Sequence, residues 1–360
     1  MKKNLLLVAA LGLTGVMYAP SADAASTRSI SEDYYWINGD LDEPMERGDR
    51  STNAILLDDQ IFDVYQSDNQ LLYQDLTDCF FYAKPGQTLL PAIDYSGAWM
   101  HSYVFIDYDN DGDFYSDING DGTPSDGSEL VSYNAFNDND SMPWVNSLGE
   151  NPTDNGNVNV GELPEFTLPE DLKPGIYRMR YKVDWNSIDP AGNPDPGNYI
   201  ANNGGVIVDV MLFVYTDEAT VIDDIENGTV KAEDGSTLST VPADEALTIV
   251  ISGDLEGGLT IKSGYNVESE EVENKFGNPQ YVTMNVAASA INNNTYKIPA
   301  DMVRGNVSIN GKVVGSSAIK SLESVNADGE TVIYNLNGQK VNDTAAPGIY
   351  IVNGKKTVLK

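Results

Sequence analysis

The residues best equipped for chemistry lie between Phe105 and Leu130, in FIDYDNDGDFYSDINGDGTPSDGSEL. This stretch holds Asp107, Asp109, Asp111, Asp113, Asp117, Asp121 and Asp126, with Asn119 and Glu129 among them. Carboxylates so crowded repel one another strongly unless a cation sits between them. The pattern D-x-[DN]-x-D-G occurs twice, as Asp107-Asp109-Asp111-Gly112 and, ten residues on, as Asp117-Asn119-Asp121-Gly122. Alternate positions aim oxygens at one point, and the glycine permits the sharp turn that wraps such a loop around a hard cation. Calcium suits a flexible all-oxygen site better than magnesium, which demands near-octahedral geometry.

The helix-flanked form of this loop closes with a bidentate carboxylate at its twelfth position. Here those positions are Ile118 and Ser128, and Glu129 comes one residue late. The preceding run, Trp99 to Ile106, is aromatic and β-branched, so a strand rather than a helix enters the loop. The pattern therefore predicts a strand-loop calcium site. Its candidate ligands are Asp107, Asp109, Asp111, Asp113, Asp117, Asn119 and Asp121, with Glu129 as the distant one. One ion or two would fit the doubled motif. The alternative is an acidic, solvated turn whose glycines serve only the backbone.

The elements that must position this loop read as strands. Gly175 to Trp185 alternates Tyr177, Met179, Tyr181, Val183 and Trp185 with Arg178, Arg180, Lys182 and Asp184, the signature of a half-buried strand. Its basic face could take an acidic ligand or pair with the protein's own carboxylates. Val206 to Tyr215 is apolar on nearly both faces and should be a central strand. Two long loops rich in Asn, Asp, Pro and Gly, 137–161 and 186–205, carry or border Trp144 and Trp185. Each tryptophan could be a platform for a sugar ring, or could pack under its own loop. Ahead of these strands, Ala25 to about Arg50 is acidic and irregular around Tyr34-Tyr35-Trp36. Asp217 to Glu226 reads as an acidic linker. Beyond it, alternation at Leu247-Ile249-Ile251, Leu259-Ile261 and Val282-Met284-Val286 predicts a second, smaller sandwich ending near Ser317. The last forty residues carry Asn337-Gly338 and Asn353-Gly354 between short alternating runs, the strongest short hairpin signal.

Composition bounds the setting. A net charge of −34 argues against nucleic-acid partners, whose footprint is basic. Hydrophobic content of 41% with 20 tyrosines is too rich for a disordered polyelectrolyte. Lys2 and Lys3 precede the apolar run Leu5 to Val16, and Ala22-Asp23-Ala24 supplies a cleavage site, so residues 1–24 read as a secretory signal cleaved near Ala24. That run is too short to be a membrane anchor, and no transmembrane segment is expected in the mature chain. Cys79 is the only cysteine, so no internal disulfide can staple an exported chain, and calcium is the obvious substitute.

Two resemblances follow. The segments YQDLTDCFFYAKPGQTLLPAI (Tyr73 to Ile93), YVFIDYDNDGDF (Tyr103 to Phe114), Glu129, LPEDLKPGIYRMRY (Leu168 to Tyr181) and GGVIVDVMLFVY (Gly204 to Tyr215) resemble a GEVED-type domain. That is a β-sandwich of large exported bacterial proteins. This chain departs from it in carrying an extra DINGDG turn before Glu129 and in lacking the acidic motif that names the family. The tail, IYNLNGQKV and PGIYIVNGKK, resembles the C-terminal sorting domain of the type nine (Por) secretion system. That resemblance implies passage across a Gram-negative outer membrane by the secretion machinery, and a secreted or cell-surface location.

The expectation is an all-β chain. A signal at 1–24 precedes a GEVED-like sandwich with the Asp-rich loop at 25–217. An Ig-like sandwich at 218–318 and a small β-hairpin sorting domain at 319–360 complete it. The single histidine, His101, lies in a strand expected to be buried, without a nucleophile motif, and no HExxH, GxSxG, P-loop or Cys/His zinc spacing occurs. The function expected is non-catalytic: a calcium-stabilised surface protein for adhesion, binding an extracellular glycan or glycoprotein through Trp144 or Trp185. A secreted glycoside hydrolase or hydrolase accessory is the rival, since 55 acidic residues offer many carboxylate pairs. A structural spacer is the third reading.

Overall fold

The computed structural model describes residues 30–64, 70–97, 100–134, 145–150, 163–185, 187–267, 276–286, 294–314, 333–335, 340–341, 348–352 and 355–359. Alternating sequence becomes strand throughout, and among the described residues the only helical element is one 3-10 turn at Ala300–Met302. The fold is all-β. The described residues fall in two compact units, 30–216 with 276–281, and 217–267 with 282–359.

The first unit contains β1 (Ser51–Leu57), β2 (Gln60–Asp63), β3 (Tyr73–Ala83), β4 (Thr88–Leu89), β5 (Pro91–Ser96), β6 (His101–Ile106), β7 (Leu130–Asn134), β8 (Phe166–Thr167), β9 (Gly175–Asp184) and β10 (Val206–Val214). They form a three-stranded sheet β2-β1-β5, a five-stranded sheet β3-β10-β9-β6-β7, and the short pair β4-β8. In the larger sheet β3 runs parallel to β10, while β10-β9, β9-β6 and β6-β7 are antiparallel. The two sheets share one core. Ile55, Leu57 and Ile93 from one meet Val104, Ile106, Met179, Tyr181, Val208 and Val210 from the other. Burying each such side chain contributes roughly 1.5–3 kcal/mol, so this layer is the main support of the unit.

The second face of the five-stranded sheet is also buried, which corrects the half-buried expectation for β9. Arg178, Arg180, Lys182 and Asp184 are all fully enclosed. The cover comes from the N-terminal segment through Tyr35 and from Phe276 on the 276–281 segment, packed with Tyr103, Phe105, Phe114, Leu130 and Tyr133. The basic face is satisfied internally, as one of the two readings held. Asp209 of β10, opposite Arg180 in the ladder, accepts from Arg178 Nε at 3.0 Å and from Arg180 Nε at 2.7 Å. The Arg178 guanidinium also lies 4.2 Å from the Tyr35 ring centroid. β10 itself is buried along its whole length between β3 and β9, as its sequence implies.

The second unit contains β11 (Glu218–Glu226), β12 (Val230–Ala232), β13 (Thr240–Pro242), β14 (Leu247–Ile251), β15 (Leu259–Gly264), β16 (Tyr281–Val286), β17 (Thr295–Ile298) and β18 (Asn306–Lys312). Sheets β13-β11-β18-β15-β16 and β12-β14-β17 enclose Ala219, Val221, Ile249, Ile251, Ile261, Ile298, Val307 and Ile309. β11 corrects the expected linker at Asp217 to Glu226. Ala219, Val221 and Ile225 are buried on one side of it, and its parallel pairing with β18 makes it structural. Further along, β19 (Ile333–Asn335), β20 (Lys340–Val341), β21 (Gly348–Val352) and β22 (Lys355–Leu359) form a sheet in the order β20-β19-β21-β22. β19 pairs antiparallel with β20, and β21 with β22, where Val352 faces Lys355. The signal segment 1–24, Asn337-Gly338 and Asn353-Gly354 lie outside the described residues. No helix among the described residues is long and apolar enough to cross a membrane.

Candidate metal centre

The Asp-rich loop leaves the end of β6 and returns through Glu129 into β7. Asp107, the first residue past β6, is fully buried, and its backbone N–H donates to Arg178 O at 3.0 Å. Its Oδ2 accepts from the Tyr35 hydroxyl at 2.6 Å and from Gly112 N at 3.2 Å, while its Oδ1 accepts from Asp111 N at 3.2 Å. Asp109 Oδ1 also accepts from Asp111 N, at 3.1 Å, and Asp111 Oδ1 accepts from Asp113 N at 2.9 Å. Each carboxylate thus fixes a backbone group further along, which curls the loop tightly. Two positive φ angles make the curl, 55° at Asn110 and 93° at Gly112. Asparagine tolerates the left-handed region and glycine enters it freely. Gly112 is needed twice over, since a Cβ there would lie 2.6 Å from a Phe276 ring carbon.

The result is a group of three carboxylates, from Asp107, Asp109 and Asp111, with one oxygen of each within 4.8 Å of the others. Asp107 is buried and the other two are exposed, so the group has a protein side and an open side. Burial pushes the Asp107 carboxyl up to about 6; the Tyr35 hydroxyl and Gly112 N–H oppose that, and the charges of Asp111 and Asp109 add to it. A bound cation would reverse this push, because it favours the ionised form. The side-chain oxygen of Asn110, within the same loop, is buried without a hydrogen-bond partner among the described residues. An orphaned buried oxygen beside convergent carboxylates fits a hard, oxygen-seeking ion.

The structure does not bring the other predicted ligands into this group. Asp113 turns back on itself, its Oδ1 accepting from Phe114 N at 2.7 Å. The second motif closes as a turn of its own, with a bridge between Ile118 and Pro124. Within it Asp121 Oδ1 accepts from Thr123 N and Oγ1 at 3.0 and 2.8 Å, and Asp117 Oδ2 accepts from Ser125 Oγ at 3.0 Å. The Asn119 amide donates to Thr123 Oγ1 at 3.0 Å. Hydroxyls of the same loop thus engage one carboxylate oxygen each of Asp117 and Asp121. Glu129 acts as a clasp: Oε1 accepts from Tyr108 N at 2.7 Å and Oε2 from Tyr115 N at 2.8 Å, tying the two sides of the first turn together. Burial raises its carboxyl to about 8, against the pull of the Tyr115 N–H and with the Asp107 charge adding to it.

No family model matches this chain, and no curated protein is similar to it.

Of the two tryptophans, Trp185 packs half-buried on the core and stacks on His101 with ring centroids 6.2 Å apart. Trp144 lies outside the described residues. His101 is buried, with Nδ1 3.1 Å from the Tyr103 hydroxyl. Residues that motif reading passed over complete the centre. Tyr35 bridges Asp107 to Asn278, whose Nδ2 donates to the Tyr35 hydroxyl at 2.8 Å. Asn278 Oδ1 in turn accepts from Arg178 Nη1 at 3.3 Å. The aromatic run Tyr34-Tyr35-Trp36 in an otherwise polar stretch was the one local sign that Tyr35 is buried.

Proposed function

We propose that this chain is an exported, non-catalytic surface protein, stabilised by calcium, that acts in adhesion to an extracellular glycan or glycoprotein. The observation that carries the reading is the convergence of Asp107, Asp109 and Asp111, with the orphaned Asn110 oxygen beside them. Three like charges drawn together cost stability without a counter-ion, and one calcium ion held by them offsets it. Export rests on the signal-like residues 1–24 and on the likeness of the tail to a type nine sorting domain. A protein outside the cell meets calcium at millimolar concentration, where a site of modest affinity is filled.

The test is attachment of the purified mature chain to arrays of glycans and immobilised glycoproteins, in calcium and in chelator. Attachment that needs calcium, and is weakened by Asp109→Asn, supports the reading. Attachment to nothing on either array would replace it with a structural spacer. Turnover of a polysaccharide or ester substrate would replace it with a hydrolase.

A further inference from the structure

Next to the acidic loop, a cleft of about 190 Å³ opens among Trp36, Asn38, Asp113, Phe114, Arg180 and Asp189. Drug-sized ligand sites run to roughly 300–1,000 Å³, so this one suits the end of a side chain rather than a larger molecule. Its chemistry follows from which polar groups are already spent. Arg180 uses all five of its donors. Nε and Nη2 go to Asp209 at 2.7 and 2.9 Å, Nη2 also to Tyr35 O at 3.0 Å, and Nη1 to Trp36 O and Pro190 O at 3.2 and 3.1 Å. Trp36 Nε1 donates to Asn38 Oδ1 at 3.2 Å, and Asn38 Nδ2 donates to Gly192 O at 2.6 Å. Only one amide hydrogen of Asn38 is left among these side-chain donors.

Acceptors remain. Asp113 and Asp189 each use one oxygen, on Phe114 N at 2.7 Å and Ala191 N at 2.9 Å. Among the described residues no donor reaches the second oxygen of either. Neither carboxylate takes part in the buried ion pairs: Arg178 and Arg180 pair with Asp209, and Lys182 pairs with Asp184 while also feeling the Asp189 charge. Trp36 adds an aromatic face that is 45% exposed, unusual for so large a ring. A site with two carboxylates that each keep an unused oxygen, an open indole and almost no donors fits a ligand that only donates and is positive. A sugar, whose hydroxyls also seek donors, fits it poorly.

We propose that this cleft binds an organic cation, an alkylammonium or guanidinium group, held by Asp113 and Asp189 against Trp36. The proposal gives the adhesive reading a ligand class, a basic side chain on a partner, but its chemistry does not depend on calcium. The overall charge of −34 steers such a group toward the surface, and the cleft selects it.

The test is calorimetric titration of the full mature chain at physiological ionic strength, in calcium and in chelator. The probes are an end-blocked Gly-Lys-Gly tripeptide, its Nζ-acetylated form, n-butylamine and methyl glucoside. The tripeptide and the amine should bind, and the acetylated peptide and the glucoside should not. Trp36→Ala, which changes no charge, should weaken binding roughly 2- to 30-fold. Asp113→Asn and Asp189→Asn should each weaken it, whereas Glu170→Gln with Asp171→Asn, an equal or larger charge change at exposed positions elsewhere, should not. Tighter binding of the tripeptide assigns the site to a peptide side chain, and equal binding assigns it to free amines. Failure of both cations to bind, equal binding of the acetylated peptide, preference for the glucoside, or indifference to Trp36→Ala would each overturn the proposal. Loss of binding in chelator alone would tie the cleft to the metal loop and overturn its independence.

Discussion

Asp209 carries more of the first unit's stability than its position in an apolar strand suggests. It is fully buried, and its two oxygens accept three guanidinium N–H bonds from Arg178 and Arg180, at 2.7–3.0 Å, with the Tyr73 hydroxyl at 3.3 Å. Asp209→Asn keeps the shape but removes the charge, leaving two buried guanidiniums short of a counter-ion. Breaking a buried pair in this way costs about 3–5 kcal/mol. All four tryptophans precede residue 216, so tryptophan fluorescence in urea reports on the first unit alone. With a slope of ~1–3 kcal/mol per molar urea, the midpoint should fall by about 1–5 M. Replacing the whole set, Asp209→Leu with Arg178→Met and Arg180→Met, should cost less than Asp209→Asn, because it removes the charges together. The pH dependence has a definite sign. Burial pushes the Asp209 carboxyl up, but the charges of Arg180 and Arg178 outweigh it and hold the group below its ordinary value of 3.8. A depressed folded value means the stabilisation is complete above the unfolded pKa and lost as pH falls through the folded one. The gap between wild type and Asp209→Asn should therefore be constant from neutral pH down to about 5 and close only below about 4. A midpoint shift under about 0.5 M, or a gap that closes between pH 8 and 5, would refute the assignment.

Three further outcomes follow from the same geometry. Gly112→Ala places a Cβ 2.6 Å from the Phe276 ring at a φ of 93°, and should lower the first unit's stability by about 1–3 kcal/mol in the same urea assay; an unchanged midpoint would contradict the packing. Lys182 Nζ donates to Asp184 Oδ2 at 3.3 Å, Ser187 O at 2.8 Å and Asp189 O, so the ammonium serves as a built-in cation for the loop beyond β9. Lys182→Met should therefore expose residues 187–193 to limited proteolysis, at a cost of roughly 2–4 kcal/mol, and wild-type resistance in the variant would rule this out. Truncation after Ala318 removes the tail strands and should leave the protein inside the outer membrane; surface labelling of the truncated form would return the tail to an ordinary structural role.

Local patterns were legible and distant partners were not. The alternation in 175–185 gave β9 to within a residue, yet it could not tell that the Arg178–Lys182 face is enclosed. Tyr35 and Phe276, which cover it, come from opposite ends of the unit's sequence. Asp217 to Glu226 looked like a linker because its acidic side chains dominate the composition. The alternation of Ala219, Val221 and Ile225 was the truer signal. The convergence of Asp107, Asp109 and Asp111 was legible because it is local. The second motif has the same letters, but Thr123 and Ser125 hydroxyls satisfy its carboxylates, and those partners are invisible to a pattern of acidic residues. The cleft at Trp36 depends on residues from three separate stretches and left no motif at all.

Calcium titration of the metal-free mature chain, with elemental analysis and melting curves in parallel, tests the central claim most directly. One ion per chain should bind, with a dissociation constant of about 10⁻⁴–10⁻³ M, so that ~2 mM calcium stabilises the first unit by roughly 0.6–1.8 kcal/mol. Asp109→Asn should abolish or sharply weaken that binding, because it removes one of the three convergent carboxylates, while Asp121→Asn should leave it intact. Identical melting midpoints in calcium and chelator, with no metal found, would contradict the account, and so would two ions of which Asp121→Asn removes one.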